Sequence, residues 1–123
     1  VNDQFGSPTT CLSLAKTCWE LIKFKFKNKS KETPEILHWS NLGSASWYEV
    51  ARLISNLSKE KSSLIKCEEV SPINTGEFKC NAKRPKYSVL DSSLTSRLLN
   101  ITNNTWENEL KYLLTNNLNL ICS

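Results

Sequence analysis

From Cys11 onward apolar residues return every three to four positions: Cys11, Leu14, Ala15, Cys18, Leu21 and Ile22 share one side of a 3.6-residue period. The spacing predicts a helix over residues 10–24, with Thr9 or Thr10 as N-cap behind Pro8. A lysine-rich stretch follows and ends at Pro34, after which Glu35-Ile36-Leu37-His38-Trp39-Ser40 reads as a short strand closed by the turn signal Asn41-Leu42-Gly43. Ser46-Trp47-Tyr48-Glu49 has the form of a capping box, in which the serine accepts from the third helical N–H and the glutamate reaches back to the serine N–H. A second helix is therefore expected to about Leu57, burying Trp47, Val50, Ala51, Ile54 and Leu57. Trp47 heads that stripe, so its ring is expected in the core rather than on a ligand.

Leu64 to Val70 reads as a second strand, broken by Pro72-Ile73-Asn74-Thr75-Gly76. Residues 76–89 show little periodicity and several basic side chains, and irregular segments of this kind often carry function. Asp91, Ser92 or Ser93 can cap a short helix bearing Leu94, Leu98 and Leu99. A last helix begins near Asn104 or Thr105, with Trp106, Leu110, Leu113 and Leu114 on one face and Glu107 in its first turn. The order α, β, α, β, α, α contains neither a repeat nor a linker, so residues 1–123 are expected to form one α/β (α+β) domain of helices on a small sheet.

Composition narrows the picture. With 39% hydrophobic and 23% charged residues the chain is an ordinary globular one, long enough to bury a core. No apolar run approaches the ~20 residues of a membrane span and no signal peptide is visible. The five cysteines, Cys11, Cys18, Cys67, Cys80 and Cys122, form no C-x-x-C pair, so neither a disulfide framework nor a metal site is expected, and a cytoplasmic location fits. The Asn-x-Ser/Thr triplets at Asn28, Asn56, Asn100 and Asn103 are read as chance in an Asn- and Ser-rich chain. A start at Val1 with no methionine anywhere is read as the mark of a fragment. The net charge of +4 rests on Lys23, Lys25, Lys27, Lys29 and Lys31, which lack an arginine cluster and read as a solvated loop, so no nucleic-acid partner is expected.

Candidate chemistry is sparse. Dinucleotide binding needs a glycine-rich turn before a helix, and Gly6, Gly43 and Gly76 are each isolated. A tyrosine acid/base with a lysine four residues on is missing too: Tyr48 is followed by Arg52, Tyr87 by Asp91 and Tyr112 by Asn116. The single histidine, His38, is read as a packed strand residue, and Glu68-Glu69 as solvent-facing charges. No catalytic residue and no cofactor site are assigned, and the chain alone is expected to be inactive and to bind no nicotinamide.

Four ordered segments resemble the C-terminal part of the dTDP-4-dehydrorhamnose reductase family of extended short-chain dehydrogenase/reductases. Val1-Asn2-Asp3-Gln4-Phe5-Gly6-Ser7-Pro8-Thr9 matches the family's Val-x-Asp-Gln-x-Gly-x-Pro-Thr. Leu37-His38 and Ser46-Trp47-Tyr48-Glu49-Val50-Ala51 resemble its strand and following helix, and Trp106, Leu110 and Leu114 its final helix. The most specific match runs from Pro72-Ile73 through Thr75, Glu77 and Phe78 to Ala82-Lys83-Arg84-Pro85-Lys86-Tyr87-Ser88-Val89-Leu90-Asp91, which carries the family's Ala-x-Arg-Pro-x-Tyr-Ser-x-Leu-Asp in full. Lys79 stands where the family usually has proline, and the segment before Pro34 is longer than usual.

The resemblance implies a C-terminal substrate-binding lobe without the Rossmann core. A separate N-terminal dinucleotide-binding domain would hold NADPH or NADH, and the whole would reduce the 4-keto group of a nucleotide-sugar on the way to dTDP-L-rhamnose. It also implies that Gln4, Phe5, Gly6, Arg84, Pro85 and Ser88 bind the substrate. Pro85 disfavours helix at Arg84 and leaves it extended, free to project into a cleft or to pair with Glu77 or Asp91. A surface left open by the absent domain is expected as an apolar patch near the first segment or as self-association. Two rival readings are a non-catalytic regulatory module, as in the regulatory subunit of methionine adenosyltransferase within the same family, and a basic nucleic-acid-binding domain.

Overall fold

The computed structural model describes residues 1–29, 32–59 and 67–121, apart from the side chains of 117–121. Among the described residues, four helices pack on a three-stranded mixed sheet. Helix α1, Cys11–Lys27, starts where Thr10 Oγ1 accepts from Ser13 N at 3.1 Å. It runs three residues past the expected end and stops at Asn28, whose backbone N–H and Nδ2 both donate to Phe24 O. Lys25 and Lys27 occupy its last turn, favourable for the helix dipole.

The buried face of α1 is not the expected one. Ser13 and Thr17 are buried, while Leu14 and Ile22 stay almost half exposed. Hydrogen bonding explains the inversion: Ser13 Oγ accepts from Trp39 Nε1 at 3.1 Å and from Asn41 Nδ2 at 2.9 Å, and Thr17 Oγ1 donates to Ser13 O. Leu14, Cys18 and Leu21 instead line an open groove of about 300 Å³ with Leu37, Trp39 and Leu99.

The strand expected over 35–40 does not form. Its backbone bonds to hydroxyls rather than to a ladder: Ser40 N donates to Ser92 Oγ at 2.8 Å, Ser92 Oγ donates to Ser40 O, and Thr95 Oγ1 donates to His38 O at 2.6 Å. His38 is exposed, not packed. Of the other expected strand, residues 64–66 lie outside the described residues and 67–70 carry no strand. The observed strands are two residues each: β1 Phe5–Gly6, β2 Ala45–Ser46 and β3 Tyr87–Ser88. β1 is central, antiparallel to β2 (Phe5 opposite Ser46) and parallel to β3 (Phe5 opposite Tyr87).

Helix α2, Trp47–Lys59, begins with the expected capping box: Ser46 N donates to Glu49 Oε2 at 2.7 Å and Glu49 N to Ser46 Oγ at 3.2 Å. Short helix α3, Ser93–Leu99, is entered through Ser93 N donating to Asp91 Oδ1 at 2.8 Å and left through Asn100 in the left-handed region, φ 51°. Helix α4, Trp106–Ile121, is anchored by Leu42, which pairs with Thr105 and whose carbonyl accepts from Trp106 N at 3.0 Å. Ala45, Val50 and Trp106 form the apolar core, with Leu53 and Leu110 packed against it. Gly43 next to that core has φ +89°, and a Cβ there would lie 3.1 Å from the Trp106 ring.

A second, polar interior surrounds Asn41, only 2% exposed. Its Oδ1 accepts from Thr10 N at 3.2 Å, its Nδ2 donates to Ser13 Oγ and to Asn103 Oδ1, and its N–H donates to Thr9 Oγ1. One side chain therefore ties the N-terminus of α1 to two distant loops. Asn41→Ala is expected to cost about 2–3 kcal/mol because it strands buried donors and acceptors, a loss readable as a lower midpoint in urea unfolding.

Candidate functional site

The first eight residues organise the site because nearly every neighbouring segment bonds to them. Tyr48 N donates to Val1 O, Asn2 N to Ile73 O, and Phe5 N to Lys86 O at 2.8 Å. Ser88 Oγ donates to Phe5 O at 3.2 Å, and Leu90 N to Ser7 Oγ. The start of α2, the 72–78 turn and the strand after Arg84 thus converge on β1, and between them lies a cleft of about 210 Å³.

All six residues expected at a ligand site, Gln4, Phe5, Gly6, Arg84, Pro85 and Ser88, line this cleft. They come from segments some eighty positions apart, joined by the β1–β3 pairing. Gly6 permits that approach, since a Cβ there would sit 3.2 Å from Ser88 Oγ. Ser7, Pro8, Ala45, Trp47 and Val50 complete the lining. Ser7 and Pro8 belong to the same matched segment as Gln4 and Gly6, and Trp47 and Val50 to the matched segment 46–51, whereas Ala45 lies in none of them.

Trp47 is the clearest correction. The ring expected in the core is 68% exposed and faces the cleft, while Val50, three residues on, is buried. The core is closed by Trp106 of α4 packed with Ala45 and Val50, and Trp47 is not part of it.

Arg84 is the cleft's cation, and no carboxylate lines the cleft among the described residues. Neither expected partner pairs with it: Glu77 Oε1 accepts from Asn74 N, and Asp91 Oδ1 from Ser93 N. Its guanidinium lies beside Cys80 and, after the Ala82 N–H, helps to hold that thiol below its ordinary pKa.

The loop that carries Arg84 is tied down at its start. Asp3 Oδ1 accepts from Thr75 Oγ1 at 2.7 Å and from Thr75 N at 3.0 Å, and Gln4 Nε2 donates to Thr75 Oγ1. The Thr75 hydroxyl, ahead of its N–H, lowers the Asp3 pKa. Because the folded value is depressed, the clamp persists through the ordinary carboxylate value of about 4 and is lost as pH falls through the lowered one. The Thr75 amide is therefore expected to stay protected from hydrogen exchange at pH 4–5 and to lose protection on further acidification. Asp3→Ala should remove that protection at every pH.

Among the described residues no three His, Cys, Asp or Glu side chains are grouped to hold a metal, and no helix is long and apolar enough to cross a membrane.

Comparison with known proteins decides the family. The model of the RmlD substrate binding domain matches residues 1–119. The chain belongs to this family. Among solved structures, the dTDP-4-dehydrorhamnose reductase of Clostridium acetobutylicum ATCC 824 is 30% identical with a TM-score of 0.70, over 94% of this chain and 36% of that one. The dTDP-4-dehydrorhamnose reductase of Bacillus anthracis str. Ames, solved in complex with NADP, is 30% identical with a TM-score of 0.66 over the same shares. The spore coat polysaccharide biosynthesis protein SpsK of Bacillus subtilis (strain 168) is 34% identical over 90 residues, 73% of this chain and 27% of that protein. An RmlD-type substrate-binding domain thus accounts for almost the whole chain, which spans about a third of the length of these relatives.

Proposed function

We propose that residues 1–123 are the C-terminal substrate-binding domain of a nucleotide-sugar reductase of the dTDP-4-dehydrorhamnose reductase type. The cleft at β1 would receive the nucleotide-sugar, and a separate N-terminal domain would supply NADPH or NADH and the proton-transfer groups. The observation that carries the reading is the convergence of Gln4, Phe5, Gly6, Arg84, Pro85 and Ser88 on one cleft whose cation has no carboxylate partner among the described residues. A guanidinium presents a planar fork of donors suited to the adjacent anionic oxygens of a diphosphate.

Exposed apolar side chains support the second domain. Leu12, Trp19 and Ile22 share one side of α1 and stand 40%, 58% and 45% exposed, in the manner of a face that packs on another lobe. Self-association of the isolated chain is the other way such a face is covered, and belongs to the same proposal.

The test is direct. The full-length protein, given the dTDP-linked 4-keto-6-deoxyhexose, should consume NADPH or NADH in step with loss of the keto sugar, and residues 1–123 alone should consume none. A full-length protein that consumes neither nucleotide with this substrate would overturn the proposal.

A further inference from the structure

Two tryptophans of this chain stand out in solvent, and only Trp47 lines the cleft. Its backbone is held on both sides: Ser46 is locked into the capping box with Glu49, and Tyr48 N donates to Val1 O at 3.0 Å. The ring is thus an exposed, flat surface on an anchored helix terminus, and the core of Ala45, Val50 and Trp106 closes without it. An exposed indole contributes little to folding, whereas a pre-positioned one loses little entropy when a planar ligand stacks on it.

We infer that Trp47 is the platform on which the nucleobase of the ligand stacks, and so a specificity-determining residue of this cleft. The inference rests on the nucleotide-sugar reading above and adds the part of the ligand that it left unplaced. Trp47, Phe5 and Pro8 offer apolar surface in the same cleft where Arg84 offers the only cationic group among the lining residues. A nucleoside diphosphate has the matching make-up, with one π-faced ring and one strongly anionic link. The sugar is the poorer candidate for the indole. Its keto carbon must meet a hydride donor held by the other domain, so it has to extend away from this wall, whereas the base has no such demand.

The experiment is calorimetric titration of the full-length protein with dTDP, with inorganic pyrophosphate and with dTDP-L-rhamnose. Wild type is compared with Trp47→Phe, which keeps a π face, and Trp47→Leu, which keeps bulk without one. Trp47→Leu should bind dTDP about tenfold or more weakly, Trp47→Phe within a few-fold of wild type, and both should bind pyrophosphate as wild type does. Equal dTDP affinity in wild type and Trp47→Leu would overturn the inference and leave the nucleotide-sugar reading standing. A loss seen with dTDP-L-rhamnose but not with dTDP would move the ring to the sugar and overturn it too. An equal loss for dTDP and pyrophosphate would assign Trp47 to the scaffold. Absence of dTDP binding by wild type would instead overturn the functional proposal itself.

Discussion

Trp106→Ala is expected to destabilise the protein by about 3–5 kcal/mol, the usual range for deleting a large buried aromatic. The ring is 7% exposed, packs with Ala45 of β2 and Val50 of α2 in the core, and lies beside Gly43, where an added Cβ would be 3.1 Å from it. Few other apolar groups back it up: Ala45, Val50 and Leu114 are the remaining buried hydrophobics among the described residues. Trp106→Phe should cost much less, because it keeps most of the packing and removes an indole N–H that is buried without a hydrogen-bond partner. Trp47→Ala, by contrast, should leave the thermal midpoint within a degree or two of wild type. Thermal unfolding of the three variants checks all of this, and equal losses at Trp47 and Trp106 would contradict it.

The second large effect is expected in binding. In the full-length protein, Arg84→Ala should weaken dTDP-L-rhamnose about 10–100-fold, the range for losing hydrogen bonds between charged groups. Arg84→Lys should fall between Arg84→Ala and wild type, since an ammonium restores a charge but not the fork. Stability should hardly change in either variant, because Arg84 is exposed and ion-paired to no carboxylate among the described residues. A fall in thermal midpoint with unaltered affinity would assign Arg84 to holding its loop, through Cys80 rather than through Glu77 or Asp91.

The contrast between the two tryptophans shows what a sequence carries and what it leaves open. Both head an apolar stripe at helical spacing, and both stripes are helices. Burial, however, is decided by what lies opposite: α4 delivers Trp106 beside Gly43 and into the core with Ala45 and Val50, whereas Trp47 is left 68% exposed at the cleft. The same reasoning covers α1. Its start and its cap were legible because they depend on neighbours three or four residues away, whereas its buried face was set by Asn41 and Trp39, some thirty positions on. Strands of two residues leave no period to read. Their partners, Phe5 with Ser46 and with Tyr87, are matched only in three dimensions.

The candidate site was legible in another way. Nothing in periodicity or charge joins Gln4 to Arg84, but the order and wording of the matched segments did, through the family they resemble, and the β1–β3 pairing brings them together. Trp47 lies in those same segments, but helical spacing points it to the core, and only its place at the first position of α2 leaves it exposed at the cleft.

A crystal structure of the full-length protein with dTDP-L-rhamnose tests the central claim most directly. The account predicts the ligand in the cleft at β1, its diphosphate against Arg84 and its base over Trp47, with the sugar leaving toward the second domain. A ligand bound elsewhere, with Gln4, Gly6, Arg84 and Ser88 untouched, would contradict it.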